Sequence, residues 1–148
     1  MRVLVLGYGN PDRKDDGVAW FVLEKLRADP PAGAELDTAH QLEIDHAERI
    51  AQFDLVLFVD AATPDTPEPL SVNEVSAAPE PQATTHHILP TDVLAFAREF
   101  YGRCPRALVV RIRGCDFGFG SELSPETRES AEAAVVRIRA VIASRDYA

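Results

Sequence analysis

Apolar positions along the chain switch between two spacings, and the switches mark the elements. Val3-Leu4-Val5-Leu6 is a continuous apolar run ending in a glycine turn, which predicts a buried strand over about residues 2–6. Val18, Phe21, Val22 and Leu26 then recur at helical spacing until Pro30-Pro31 blocks continuation. A strand is expected over Ala34 to Ala39, and Ile44, Ala47, Ile50 and Ala51 mark a short amphipathic helix with Asp45 near its start. Asp54-Leu55-Val56-Leu57-Phe58-Val59-Asp60 is apolar on both alternating faces, as a central parallel strand covered on both sides would be, and it is expected to end on its carboxylate. Within a proline-rich excursion from Ala61 to Ala83, Leu70 to Val75 alternates like an edge strand. Pro90 opens a helix whose Val93, Leu94, Ala97, Phe100 and Tyr101 are expected to face inward and which Gly102 stops. Ala107 to Ile112 is another buried strand. Ser124-Pro125 then starts a last helix with an apolar stripe of Ala131, Ala134, Val135, Ile138, Val141 and Ile142.

Strands alternating with helices predict a three-layer α/β/α sandwich with a mostly parallel twisted sheet and one antiparallel edge strand. The 148 residues suit a single domain spanning 1–148. In such sheets ligands collect beyond the carboxyl ends of the strands, where strand order reverses; in a 2-1-3 arrangement that place lies between the first and third strands. Asp16 follows the one and Asp60 ends the other.

Composition narrows the partners. A net charge of −9 disfavours nucleic acid and anionic membranes. The opening MRVLVLG has no basic region or cleavage site, and no apolar run approaches membrane-spanning length, so a soluble, cytoplasmic protein is expected. Cys104 and Cys115 lie near opposite ends of a predicted strand, roughly 30 Å apart if extended, which rules out a mutual disulfide.

The stretch GYGNPDRKDDGVAW after the first strand raises the main chemical question. It lacks the third glycine of a dinucleotide fingerprint and the Gly-Lys-Ser/Thr of a phosphate loop, and its Asp15-Asp16 pair would repel a phosphate, so no nucleotide is expected. The pair caps a helix, holds a metal, or does both. Carboxylates gathered in a cleft repel unless a proton or cation is shared, and His86 or His87 is the natural third member of a set with Asp16 and Asp60. One imidazole and two carboxylates suit zinc, nickel, manganese or iron. Gly114 to Gly120 is either a flexible substrate rim or a long connecting turn, and Cys115 within it has no predicted activator.

Four segments in order, VLGYGNPDRKDDGVAW, LVLFVDAA, THHILPTDVLAFA and Gly120-Ser121-Glu122-Leu123-Ser124-Pro125, resemble the nickel-iron hydrogenase maturation endopeptidases. The resemblance implies an aspartyl-type or metal-dependent peptidase that removes the C-terminal extension of a hydrogenase large-subunit precursor after nickel insertion. It also implies that Asp16, Asp60 and His86 form the metal-binding and catalytic triad, His86 being preferred to His87 because Ile88 lies two residues beyond it. The nickel is expected to be that of the precursor, and the protein is expected to act as a monomer. Two features depart from familiar members: Asp16 replaces the glutamate of some, and Thr38 to Leu42 replaces a glycine-rich segment, leaving His40 as a candidate substrate contact. A non-catalytic α/β metal-binding module, a nickel sensor or carrier, is the alternative.

Overall fold

The structure is a computed structural model that describes residues 1–80 and 87–144. Its strands are β1 (Val3–Tyr8), β2 (Ala34–Ala39), β3 (Leu55–Ala62), β4 (Leu70–Val75) and β5 (Arg106–Arg113). Its helices are α1 (Val18–Ala28), α2 (His46–Ile50), α3 (Pro90–Tyr101) and α4 (Pro125–Ser144), with a 3-10 turn over Lys14–Gly17. The sheet order is β2-β1-β3-β5-β4, parallel except for β4, which pairs antiparallel with β5 at the edge. The expected layer architecture and the 2-1-3 order are therefore present.

Strand alternation divides the core between the two faces. Val3, Val5, Leu55, Leu57, Val59, Leu108, Val110 and Ile112 point toward α1 and α4 and pack against Val22, Leu26, Ala134 and Ile138. Leu4, Leu6, Val56, Phe58, Ala107 and Val109 point the other way, onto Ala47 and Ile50 of α2 and Val93, Leu94 and Ala97 of α3. Both faces are thus dry, which is why β1, β3 and β5 read as continuous apolar runs.

Several boundaries differ from expectation. β1 continues through Gly7 and Tyr8, because both still pair with β2 (Gly7 with Thr38, Tyr8 with Ala39). β3 does not end on Asp60; Ala61 and Ala62 remain paired with Ile112 and Arg113 of β5. Gly102 ends α3 as expected, adopting the left-handed conformation (φ 68°) that glycine takes without strain. Phe100 and Tyr101, expected inward, are 63% and 49% exposed. Phe100 still stacks on buried Phe96, with ring centroids 5.6 Å apart. The helical period does not say where the covering layer stops. Ile44 is likewise exposed, and Leu42 takes the buried position beside α2.

Candidate functional site

Three strands deliver polar side chains to one place by continuing their own alternation. On the α2/α3 face, Leu4 and Leu6 lead to Tyr8, Val56 and Phe58 lead to Asp60, and Ala107 and Val109 lead to Arg111. Asp60 is the register partner of Arg111, and Tyr8 lies one residue past the Gly7–Val59 pair. Tyr8, Asp60 and Arg111 therefore form a row across the carboxyl ends of three neighbouring strands. They line a cleft of about 500 Å³ that also receives Asp16, His40 and His87.

Asp16 reaches this cleft because the turn after β1 is held tightly. Its Oδ2 accepts the Asn10 N–H at 2.8 Å, and its backbone N–H donates to the Arg13 carbonyl at 3.0 Å. Gly9 sits at φ 146°, and a Cβ there would fall 2.1 Å from the Asp16 carbonyl oxygen, so the turn requires glycine. Trp20 closes the turn from outside, donating its indole N–H to the Gly9 carbonyl at 2.8 Å and meeting the His40 ring edge-on at 5.3 Å.

The two adjacent carboxylates do different things. Neither makes a side-chain cap to the 3-10 turn or to α1, so the capping expectation is not met in its simple form. Asp15 is fully buried and turned away from the cleft. Its Oδ1 accepts the Ser124 N–H at 2.8 Å; its Oδ2 accepts the N–H groups of Cys115 (2.7 Å) and Asp116 (2.9 Å) and the hydroxyls of Ser124 (2.7 Å) and Thr127 (3.0 Å). It thus ties Ser124, just ahead of α4, and Thr127 in the first turn of that helix to the turn after β1. Burial alone would raise its pKa, but this set of donors outweighs burial and holds the carboxyl below its ordinary value.

The same fastening extends to the Gly114–Gly120 segment. Gly120 donates to the Asp12 carbonyl and accepts from Lys14 N–H, Lys14 Nζ pairs with Asp116 at 2.9 Å, and Arg13 Nε donates to the Phe117 carbonyl at 3.0 Å. The segment is bonded to the β1–α1 turn along much of its length, with Phe119 exposed beneath the Arg13 guanidinium and Phe117 beside a small pocket that Asp16 also lines. Cys104 and Cys115 are both free thiols.

Asp60 has the opposite electrostatics to Asp15. Burial raises its pKa to about 6, with the charge of Asp16 adding in the same direction; the Ala61 N–H, the Arg111 charge and the facing Tyr8 phenol oppose the rise without cancelling it. Tyr8 is pushed far up by its own burial and then by the Asp60 charge. Of the expected triad, Asp16 and Asp60 share the cleft. His86 lies outside the described residues, and its neighbour His87 lines the cleft. Among the described residues no group of three or more His, Cys, Asp or Glu side chains gathers closely enough to hold a metal ion. Tyr8 and Arg111 were not singled out from the sequence. Arg111 carried a signal all the same, being the one charged residue inside the run Ala107 to Ile112.

No protein-family model matches the chain, and no curated protein matches it in sequence. Solved structures do. The hydrogenase maturating endopeptidase HybD from E. coli superimposes with a TM-score of 0.80 at 22% identity, over 99% of this chain and 94% of that one. The fold is that of the hydrogenase maturation endopeptidases. The [NiFe] hydrogenase maturation protease HycI from Thermococcus kodakarensis KOD1 gives 0.71 at 24% identity, over 95% and 92% of the two chains. The hydrogenase 2 maturation peptidase from Thaumarchaeota archaeon SCGC_AB-539-E09 gives 0.70 at 20% identity, over 96% and 98%.

Proposed function

We propose that the protein is an endopeptidase that removes the C-terminal extension of a nickel-iron hydrogenase large-subunit precursor once nickel is in place, the precursor's nickel being the recognition signal. The observation that carries this reading is the opening of Asp16 and Asp60 into one cleft at the β1/β3 switch point, in a fold shared with known maturation peptidases. Fold alone does not imply activity, so the reading stands on the site.

In this reading Asp16 and Asp60 supply two oxygen donors to the precursor's metal, and His86 supplies an imidazole. Such a mixed oxygen and nitrogen set suits a divalent first-row ion. The reaction is hydrolysis of one peptide bond. Among the described residues no helix is long and apolar enough to cross a membrane, and the proposal places the protein in the cytoplasm, acting as a monomer.

The test incubates the protein with the large-subunit precursor in nickel-loaded and nickel-free forms and follows precursor mass. Trimming at the C-terminus of the loaded form only, lost in Asp16→Asn and Asp60→Asn, is the expected result. Binding without trimming would instead favour a non-catalytic nickel sensor or carrier. Normal trimming by Asp60→Asn would refute the site.

A further inference from the structure

Arg111 has no role in the triad, yet it sits in the row with Asp60. The two are register partners on adjacent parallel strands, with side chains on the same sheet face, and the Arg111 charge is felt by both Asp60 and Tyr8. It is the one Lys or Arg among the described residues that line the cleft, where Asp16, Glu43 and Asp60 bring carboxylates. Among the described residues no carboxylate lies within 4.0 Å of its guanidinium, and it makes no hydrogen bond, although five N–H donors are available there. Most other arginines of the chain are engaged: Arg2, Arg49, Arg103 and Arg106 all hold carboxylates, and Arg113 donates to the carbonyls of Thr66 and Pro67.

Arg111 is solvent-exposed, and its place in the cleft lining beside Asp60, at the carboxyl end of a central strand, leaves its donors open to a ligand with acceptor oxygens. The surrounding charge decides which kind. Three carboxylates against one cation repel an anion at rest, whereas a neutral carbonyl enters without that penalty and gains negative charge only as it reacts. Resting on the peptidase reading above, we propose that Arg111 is a catalytic residue that receives the carbonyl oxygen of the scissile peptide bond. As water adds to the carbonyl carbon, the C=O π pair moves onto this oxygen and the guanidinium stabilises it. When the tetrahedral species collapses, the C–N bond breaks and its electron pair leaves on the amine nitrogen, which takes up the proton given by water.

The test compares wild type, Arg111→Gln and Arg111→Lys on the nickel-loaded precursor, measuring kcat and KM separately, with thermal melts to confirm folding. Arg111→Gln is expected to lose about 100-fold in kcat, the scale of removing one preorganised donor, with KM within about threefold of wild type. Arg111→Lys keeps the charge but not the planar fork and is expected to recover part of the loss. A kcat within about threefold of wild type in Arg111→Gln would overturn the proposal. So would a loss carried by KM alone, which would mark Arg111 as an anchor for a resting anion. Should Arg111→Gln fail to fold, a kcat for Arg111→Lys equal to that of wild type overturns the proposal by itself. Wild-type protein that leaves the precursor whole would refute the peptidase reading and this assignment with it; wild-type cleavage matched by both variants would refute the assignment alone.

Discussion

Replacing Asp15 with alanine tests whether the buried carboxylate fastens α4 to the turn after β1. The variant removes the acceptor for three backbone N–H groups and two hydroxyls. The hydroxyls lose least: Thr127 Oγ1 retains the Arg113 carbonyl at 3.2 Å, and Ser124 is half-buried and can turn to water. The backbone N–H groups of Cys115, Asp116 and Ser124 cannot turn, and each loses a charge-assisted bond of about 1.5 kcal/mol or more, net of water. Set against the relief of no longer burying a carboxylate, which works the other way, the net loss is about 3–5 kcal/mol, a large share of the roughly 5–15 kcal/mol that holds a domain folded. In a chain of 148 residues that is a fall in Tm of about 6–20 °C. Urea unfolding at pH 7 can be followed through Trp20, whose indole is bonded to this same turn. Because Asp15 is held below its ordinary pKa, its contribution is complete above about pH 4 and lost as pH falls through the folded value. The gap between wild type and variant must therefore narrow in acid. A loss below about 1 kcal/mol at pH 7, or a gap unchanged at pH 2.5, would refute the fastening role. If Asp15→Ala does not fold, Ser124→Ala removes one hydroxyl bond and should cost about 1 kcal/mol.

Asp60 predicts the reverse pH dependence. Its rise from the ordinary 3.8 to about 6 means that the folded state binds its proton more tightly than the unfolded chain, so the stabilisation is full below pH 3.8 and gone above pH 6. With EDTA present, Asp60→Asn should be more stable than wild type at pH 7 by as much as about 3 kcal/mol and no more stable at pH 4; equal urea midpoints at pH 7 would contradict this. Gly9→Ala, which forces a Cβ against the Asp16 carbonyl, should cost at least about 2 kcal/mol and abolish trimming of the precursor, read by thermal melt and mass. Leu94→Ala should cost about 2–5 kcal/mol, whereas Tyr101→Ser should stay within about 1 kcal/mol, since the first residue is buried and the second half exposed.

Much of this architecture was legible because each buried strand is apolar on both faces, a pattern that only a covered parallel sheet requires. β2 falls on the residues anticipated, and the antiparallel edge position of β4 follows from its polar alternation. Strand ends were less legible: Gly7 looks like a stop, but its missing side chain instead admits Ala19 and Leu23 of α1 against β1. Asp16 and Asp60 could be placed at the same cleft because sheet order follows from crossover rules. The role of Asp15 could not, since its partners lie 100 to 112 residues away and are mostly backbone N–H groups, which no residue type announces. Arg111 was visible as a charge within an apolar run, but its significance depends on the β3–β5 register, a non-local quantity.

The clasp made by Asp15 also sets an order of events during synthesis. A nascent polypeptide that has emerged only as far as β5 already owns every strand of the sheet, with Tyr8, Asp60 and Arg111 in their neighbouring lanes. The donors that immobilise the acidic turn arrive afterwards, at residues 115–127. Docking of the final helix is therefore a late event, and shortened products of translation would carry the row of three while the Asp15 carboxylate still lacked its distant donors.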